Sequence, residues 1–279
     1  MADWAGFAVS FYGPGEDGME SRLPTELHPL AGRFLAWHVL RALAEAVPPP
    51  RALFFIPSIP VDPELARDVG ASVLDVGETE RSWPALVGKL EPEVEHALVV
   101  DAAAATVGPS VRALVQGPPN RAVVDREGRM LAAWVERSRL AQATPARLTP
   151  EALCDLALEP LPPAPDEFLV RDRTDLARAT AAIRDRVVQR LMRLGVTFVL
   201  PESVMVDLDV EIGPDSVIFP GVVLEGKTTI GRETVVGPCC RIIDSRIGSG
   251  VELKGWNYIS GTEIRNRAVL EPYVRRGFD

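Results

Sequence analysis

The amino-acid sequence predicts two folds in one chain, an α/β domain followed by a β-solenoid. The first observation is a period of six near the end of the sequence, where twelve successive steps of five or six residues begin with Ile, Leu or Val. The second is the alternation of short apolar runs with helical patterns over the first 195 residues. The third is a glycine or proline in most of the six-residue steps, where a short strand has to turn a corner.

The period of six predicts the solenoid, because an α-helix would repeat near 3.6 residues and a strand at 2. Three six-residue sides make one coil, so the twelve steps predict about four coils. An antiparallel sandwich is disfavoured because its strands would be irregularly spaced. The steps begin at Val206, Ile212, Ile218, Leu224, Ile230, Val236, Ile242, Ile247, Leu253, Ile259, Ile264 and Leu270.

The first part of the chain predicts a sheet that is mainly parallel, because its apolar runs alternate with helical patterns. The run at 97–101 ends in Asp101, and ligands of such sheets bind at the carboxyl ends of strands. The first apolar run leads into a loop with Gly13 and Gly15, whose backbone N–H groups could cradle a phosphate. Further strands are predicted at 53–57, 72–76, 121–124 and 130–135, and helices at 34–43 and 64–69.

The segment before the solenoid predicts the domain boundary. Residues 158–165 are rich in proline and are interpreted as a linker or an irregular rim. A helix is predicted over 174–194, with Thr174 as its cap and Gly195 as its end. We therefore expect an α/β domain over 1–195 and a solenoid over 196–279.

Composition excludes several classes of function. A formal net charge of -9 argues against nucleic-acid binding, because no excess of Lys and Arg is present to neutralise phosphates. No apolar run approaches the 18 residues of a membrane span. The three cysteines, Cys154, Cys239 and Cys240, do not form a disulfide framework, and no Cys/His cluster has zinc spacing. A cytoplasmic location is expected.

Several motifs resemble the bifunctional N-acetylglucosamine-1-phosphate uridyltransferase/glucosamine-1-phosphate acetyltransferase (GlmU) family. The similarity is strong over 168–276 and good over 19–43. It implies a nucleotidyltransferase-like, Rossmann-related domain followed by a short left-handed parallel β-helix of hexapeptide repeats, assembled as a trimer. The similar stretches are MESRLPTELHPLAGR (19–33), LMRLGVT (191–197), DVEIGPDSVI (209–218), PGVVLEGKTTIG (220–231) and IDSRIGSGVE (243–252).

The phosphate-binding loop departs from the family pattern. The resemblance places the catalytic Arg of the family at Gly18 and the second Lys of its Lys pair at Thr25. Only Arg22 remains of the basic residues that would face a triphosphate. Phosphoryl transfer needs such cations to balance developing negative charge. The neighbouring Glu16 and Asp17 would instead repel phosphate.

The metal site also departs from the family pattern. The resemblance places the magnesium-binding Asp of the family at Ala103 and the second ligand, an Asn, at Arg171. A cation at Arg171 would oppose Mg²⁺. Asp101 is the one remaining candidate for a metal ligand, and neither a metal nor another cofactor is expected otherwise.

The function that follows is a catalytically degenerate relative that acts as a trimeric scaffold or as a sensor of a sugar nucleotide such as UDP-N-acetylglucosamine. The vestigial substrate contacts would be Gly13, Gly15, Arg22 and Glu136, of which Glu136 matches a sugar-contacting Glu of the family. Acetyl transfer is not expected, because the catalytic His of the family lies on coils beyond the matched region. Two alternatives remain open, an active sugar-phosphate nucleotidyltransferase with Mg²⁺ on Asp101, and a regulatory subunit of an intact paralogue.

Overall fold

The computed structural model describes residues 3–15, 18–74, 82–143 and 148–277. The chain forms two compact units, residues 1–28 with 34–179 and residues 29–33 with 180–279. This division lies within the long helix, earlier than the boundary predicted at Gly195. In the described part of the chain, no helix has both the length and the apolar composition that crossing a bilayer requires.

The first unit is an α/β domain, and its elements follow the predicted alternation. The first eleven strands of the chain are β1 Trp4–Val9, β2 Pro29–Leu30, β3 Arg33–Phe34, β4 Ala52–Ile56, β5 Ser72–Val73, β6 His96–Asp101, β7 Ala104–Ala105, β8 Arg121–Val124, β9 Met130–Glu136, β10 Glu159–Leu161 and β11 Phe168–Leu169. The α-helices are α1 Leu35–Ala44, α2 Trp83–Gly88, α3 Gly108–Gln116, α4 Arg137–Leu140, α5 Pro150–Cys154 and α6 Arg173–Arg193. Short 3-10 helices cover Thr25–Leu27, Pro63–Val69 and Pro201–Ser203.

Seven strands form the central sheet in the order β10-β8-β9-β6-β1-β4-β5. All neighbouring pairs are parallel except those of β9, which is antiparallel to both β6 and β8. Helices cover both faces, and β1 is buried along its whole length, which explains its continuous apolar run. The strand order reverses between β1 and β6, and ligands of such sheets bind where the order reverses.

Two local predictions in this unit are corrected. Of the two interpretations of residues 158–165, the linker is wrong, because the segment contains β10, which pairs with β8 at the edge of the sheet; the irregular rim is not contradicted. Proline is tolerated there because an edge strand has one unpaired side. The cap of α6 is Asp172 rather than Thr174, since Asp172 Oδ1 accepts a hydrogen bond from the N–H of Asp175 at 2.8 Å.

The second unit is a parallel β-helix, as the period of six predicted. Its strands are β12 Thr197–Phe198, β13 Met205–Val206, β14 Glu211–Ile212, β15 Val217–Ile218, β16 Val223–Glu225, β17 Thr229–Ile230, β18 Val235–Val236, β19 Arg241–Ile243, β20 Arg246–Ile247, β21 Glu252–Leu253, β22 Tyr258–Ser260, β23 Glu263–Ile264, β24 Val269–Leu270 and β25 Arg275–Arg276. They form three parallel sheets of five, five and four strands.

The two five-residue steps shorten the later coils. Leu224 pairs with Ile242, 18 residues on, whereas Ile242 pairs with Ile259, 17 residues on. The side chains of these three residues are fully buried. Each coil therefore buries its apolar positions against the next coil, as a solenoid requires.

Buried hydroxyl groups in the β-helix form hydrogen bonds between coils. Ser216 Oγ donates to the carbonyl of Gly231 at 2.9 Å and accepts from the N–H of Thr234 at 3.1 Å. Thr234 repeats the arrangement one coil later, donating to the carbonyl of Gly248 at 2.9 Å. These polar side chains are tolerated inside because their hydrogen bonds are satisfied.

A column of glycines runs along one corner of the β-helix. It contains Gly213, Gly231 and Gly248, and the next position in register is Arg265. A Cβ atom on Gly231 would lie 2.5 Å from the backbone N of Ser249 in the following coil. Glycine is therefore required wherever another coil stacks directly on this corner.

The second unit begins before the β-helix because earlier residues pack on its first coil. Arg190, in the second half of α6, donates to the carbonyl of Leu208 at 3.1 Å. The N–H of Leu208 donates to the carbonyl of Ala31 at 3.3 Å, and Arg33 forms an ion pair of 2.6 Å with Asp209. These contacts explain why the segment 29–33 and the end of α6 belong to this unit.

Candidate functional site

The first unit contains a cavity of about 390 Å³ at the carboxyl ends of β1 and β6. This is the position at which the strand order reverses, and the volume falls within the range of small-ligand sites. The lining residues are Ser10, Phe11, Tyr12, Gly18, Thr25, Glu26, Asp101, Ala103, Arg129, Leu169, Val170, Arg171 and Asp172.

Asp101 lies at the cavity, as its place at the end of a strand predicted. Its side chain is buried, and Oδ1 accepts a hydrogen bond from the N–H of Ala103 at 2.8 Å. Burial raises the pKa of Asp101 to about 7, with a further contribution from the negative charge of Glu26. The carboxyl group therefore changes protonation state near neutral pH.

Glu26 is a second buried carboxyl group at the cavity, and sequence reasoning missed it. Its Oε1 atom accepts hydrogen bonds from Ser58 Oγ at 2.8 Å and from the N–H of Ser58 at 3.4 Å. The sequence around Glu26 did not predict this role, because its hydrogen-bond partner Ser58 follows β4 and is 32 residues away in the sequence. Two buried carboxyl groups at one cavity favour a ligand that offers hydroxyl or amide donors.

The two arginines at the cavity are already paired with carboxylates. Arg129 Nε donates to Asp125 at 2.7 Å, and its Nη2 lies 2.5 Å from Glu127. Arg171 Nε lies 3.6 Å from Asp175. These pairs reduce the positive charge that the cavity can present to a phosphate group.

The cavity brings together all four positions at which the family resemblance places catalytic or metal-binding residues. Gly18, Thr25, Ala103 and Arg171 all line it. The N–H of Val170 donates to the carbonyl of Ala103 at 2.9 Å. This hydrogen bond places Ala103 and Arg171, the two metal-ligand positions, on neighbouring backbone segments. A methyl group and a guanidinium group occupy these positions, so the residues present do not form the magnesium site of the family.

The predicted contacts Gly13, Gly15 and Arg22 are not among the described residues that line the cavity. Gly13 directly follows Tyr12, which does line it. Gly15 has a φ of 78°, consistent with the predicted turn. Arg22 is exposed to solvent. The predicted repulsion of phosphate by Glu16 and Asp17 concerns positions outside the described residues.

Glu136, the predicted sugar contact, is not among the described residues that line the cavity. It ends β9, which runs antiparallel to β6, and it pairs with His96 at the start of β6. Asp101 lies at the other end of β6, about 17 Å away along the strand. The sequence alone did not show that β9 pairs antiparallel with β6.

A second cavity of about 770 Å³ adjoins the first and shares Arg129, Leu169 and Arg171 with it. Its rim includes the proline-rich segment and Phe168, over whose ring the Arg178 guanidinium lies at 3.9 Å. A ligand that fills the first cavity could therefore extend into the second.

Comparison with known proteins identifies similarity in the β-helix. Residues 209–244 match the model of the bacterial transferase hexapeptide family (six repeats). The bifunctional protein GlmU of Thermoanaerobacter pseudethanolicus is 40% identical over 105 residues, which is 38% of this chain and 23% of that protein. GlmU of an Exiguobacterium species is 40% identical over 132 residues, or 41% of this chain and 28% of that protein.

A crystal structure of a Mycobacterium tuberculosis rv0371c homologue, from Mycobacterium sp. strain JC1, aligns with 66% of this chain and 98% of its own, at 14% identity and a TM-score of 0.43. The matched segments span less than a third of each GlmU relative quoted above. The C-terminal part of the chain, with its hexapeptide repeats, is therefore similar to GlmU proteins.

Proposed function

We propose that this protein is a GlmU-like protein that binds a sugar nucleotide, such as UDP-N-acetylglucosamine, without catalysing nucleotidyl transfer, and that it acts as an oligomeric scaffold or sensor. One observation carries the proposal. Gly18, Thr25, Ala103 and Arg171 occupy the catalytic and metal-binding positions of the resemblance, and they surround one cavity. The pocket is retained while the groups that would accelerate the reaction are replaced.

The argument rests on the difference between binding and catalysis. The loss of one preorganised electrostatic donor typically lowers a rate by about 10²–10³-fold. Two cationic positions and two metal-ligand positions are replaced here, so the expected rate loss is much larger. Ground-state contacts are partly independent of transition-state contacts, so binding can survive. Asp101 and Glu26 would accept hydrogen bonds from ligand hydroxyl groups.

The test is isothermal titration of the full chain with UDP-N-acetylglucosamine and then UTP, each with and without Mg²⁺. Saturable binding that does not depend on Mg²⁺, without Mg²⁺-dependent pyrophosphorolysis of UDP-N-acetylglucosamine, supports a sensor. An absence of heat with both ligands would leave the scaffold role and reject the sensor role. Measurable pyrophosphorolysis would overturn the proposal.

The double variant Ala103→Asp/Arg171→Asn is expected to gain affinity for Mg²⁺. It places the two ligand types implied by the resemblance at adjacent positions of the cavity and removes a guanidinium that repels the cation. We expect Mg²⁺ to bind at least about tenfold more tightly than to the native chain, a change of 1.4 kcal/mol. Isothermal titration with MgCl₂ measures the difference.

The matched control for this prediction is Ala103→Asn/Arg129→Asn. It removes one guanidinium from the same cavity without creating the carboxylate–amide pair. An equal gain in the control would mean that the loss of positive charge alone accounts for the effect. No gain in Ala103→Asp/Arg171→Asn would contradict the assignment of these two positions.

A second candidate function is an active sugar-phosphate nucleotidyltransferase whose metal binds to Asp101. The burial of Asp101 at the cavity, with Glu26 close enough to influence it, favours this candidate. It predicts that Asp101→Ala abolishes any Mg²⁺-dependent turnover. Turnover that persists unchanged in this variant would rule out the role of Asp101.

We further propose that the β-helix assembles as a homotrimer. On one of its three sheets, three of the five outer positions are valines, Val217, Val235 and Val269 on β15, β18 and β24, and we call these the valine face. The other two outer positions are Thr197 on β12 and Glu252 on β21. The outer face of the sheet that contains β17 is charged at three of its four positions, Glu211, Arg246 and Glu263. The valine face is therefore the proposed contact surface.

The three free cysteines fit a reducing compartment such as the cytoplasm.

Val235→Lys is expected to dissociate the oligomer into monomers, because it places a charge at the centre of the valine face. Thr229→Lys is the matched control, since Thr229 is the outer residue of β17 on the charged sheet. Light scattering coupled to size-exclusion chromatography gives the mass of each species. A monomeric native chain, or an oligomer that both variants retain, would contradict the proposed surface.

A further inference from the structure

Three side chains of types that can ligate a metal meet at the end of the central sheet opposite the cavity, at the amino ends of β1 and β6. They belong to Asp3, just before β1, and to Glu95 and His96 at the start of β6. One ligand atom from each lies within 4.8 Å of the others. Among the described residues, no other group of three or more His, Cys, Asp or Glu side chains is this close together. The three residues are brought together only by the fold, because Asp3 is far from the other two in the sequence.

The spacing of the ligand atoms matches the geometry of a transition metal. His96 Nδ1 lies 3.5 Å from Asp3 Oδ2. Two ligands that each lie 2.0–2.1 Å from a tetrahedral zinc ion are about 3.4 Å apart. A zinc ion could therefore be accommodated between these two atoms with little movement of the side chains.

The backbone and one aromatic ring hold the three residues in place. The carbonyl of Asp3 accepts hydrogen bonds from the N–H groups of Glu95 at 2.7 Å and His96 at 3.1 Å. The imidazole ring stacks on Trp134, with 5.1 Å between ring centroids and 21° between planes. Metal sites gain affinity from such fixed ligand orientation.

The imidazole nitrogen that faces Asp3 lacks a hydrogen bond. His96 Nδ1 is buried and has no hydrogen-bond partner among the described residues. Its 3.5 Å contact with Asp3 does not have hydrogen-bond geometry. A bound cation would satisfy this nitrogen and both carboxylates together, and the exposed side chains of Asp3 and Glu95 leave a path for it to enter.

We propose that Asp3, Glu95 and His96 form a binding site for a divalent transition metal of the zinc class. A set of one imidazole and two carboxylates suits Zn²⁺ and its neighbours, whereas Mg²⁺ and Ca²⁺ prefer oxygen ligands alone. Three protein ligands leave a fourth position for water or another ligand. The site does not depend on the proposed sugar-nucleotide function, because Asp101 lies at the other end of β6.

The test uses the full chain without an affinity tag, stripped of metal with EDTA and titrated with ZnCl₂ by calorimetry. CoCl₂ is titrated in parallel, because its visible absorption reports coordination geometry. We expect one Zn²⁺ per chain and a tetrahedral Co²⁺ spectrum. His96→Ala and, separately, Asp3→Asn should each weaken Zn²⁺ binding by about tenfold or more.

Two control variants separate this site from general attraction of cations. Glu93→Gln removes a negative charge from the same stretch of chain, and His38→Ala removes another imidazole; both should bind Zn²⁺ like the native chain. Asp3→Asn keeps the test valid if His96→Ala fails to fold, because Asp3 is exposed. Absence of saturable binding near one Zn²⁺ per chain, or unchanged affinity in Asp3→Asn, would overturn the proposal.

Discussion

Gly231→Ala is expected to destabilise the β-helix by about 3 kcal/mol or more, at the upper end of the range for overpacking. The added Cβ would lie 2.5 Å from the backbone N of Ser249 and 2.7 Å from the carbonyl carbon of Gly248. Both atoms belong to the backbone of the next coil, so no side-chain rotation can relieve the contact. Urea denaturation at constant protein concentration measures the free energy of unfolding.

Two substitutions serve as controls for this prediction. Arg265→Ala lies in the same column, at a position that already carries a side chain, and should change the free energy of unfolding by less than about 0.5 kcal/mol. Gly88→Ala is made at a glycine whose Cβ would meet nothing within 4 Å. A loss of stability in Gly231→Ala no larger than in these two variants would contradict the steric explanation.

Asp101→Asn is expected to make the protein more stable above pH 7, by up to about 4 kcal/mol. Burial, with a contribution from Glu26, raises the pKa of Asp101 from 3.8 to about 7. Each pKa unit corresponds to 1.36 kcal/mol, and the difference of about three units gives this value. Asparagine keeps the shape of the side chain and an oxygen that can accept the N–H of Ala103, but it carries no charge.

The sign of the effect follows from the order of ionisation. Below about pH 4 the carboxyl group is protonated in both the folded and the unfolded chain, so its charge has no effect on stability. As the pH rises from 4 to 7 the unfolded chain ionises first, and the native protein loses stability. Above pH 7 the group is ionised in both states, and the loss in the free energy of unfolding stays constant.

The measurement is the free energy of unfolding of both proteins at pH 5, 6, 7 and 8. The difference between Asp101→Asn and the native chain should grow with pH and level off above 7. Asp155→Asn, at an exposed position, is the control for removal of one negative charge. A difference that is the same at every pH would show that the burial of Asp101 does not affect its ionisation.

The β-helix could be predicted almost completely from the sequence, because each coil repeats the same local requirements. The six-residue period identified the buried positions, and the two five-residue steps of the sequence coincide with the shorter coils of the structure. The hydrogen bonds of Ser216 and Thr234 were not predicted, because a small polar residue at an inward position looks the same as a small apolar one. The hydrogen-bond partner of each of these hydroxyl groups lies on another coil.

The α/β domain and its site were predicted only where the signal was local. Asp101 could be placed because a carboxylate directly follows an apolar strand. Glu26 and the group formed by Asp3, Glu95 and His96 depend on contacts between distant segments, which no local pattern contains. The position of Glu136 relative to the cavity was not predicted, because the direction of β9 is set by its pairing with β6 and β8.

The glycine column also determines which parts of the β-helix are interchangeable. A coil copied from residues 213–230 begins with a glycine, and the coil after it would also begin with a glycine. It could therefore be inserted as an additional module without a new steric conflict. The coil that begins at Arg265 cannot be repeated in the same way, because its side chain occupies the space that the next backbone would need. Lengthening this solenoid by internal duplication is therefore permitted in its early coils and blocked at Arg265 until that residue becomes glycine.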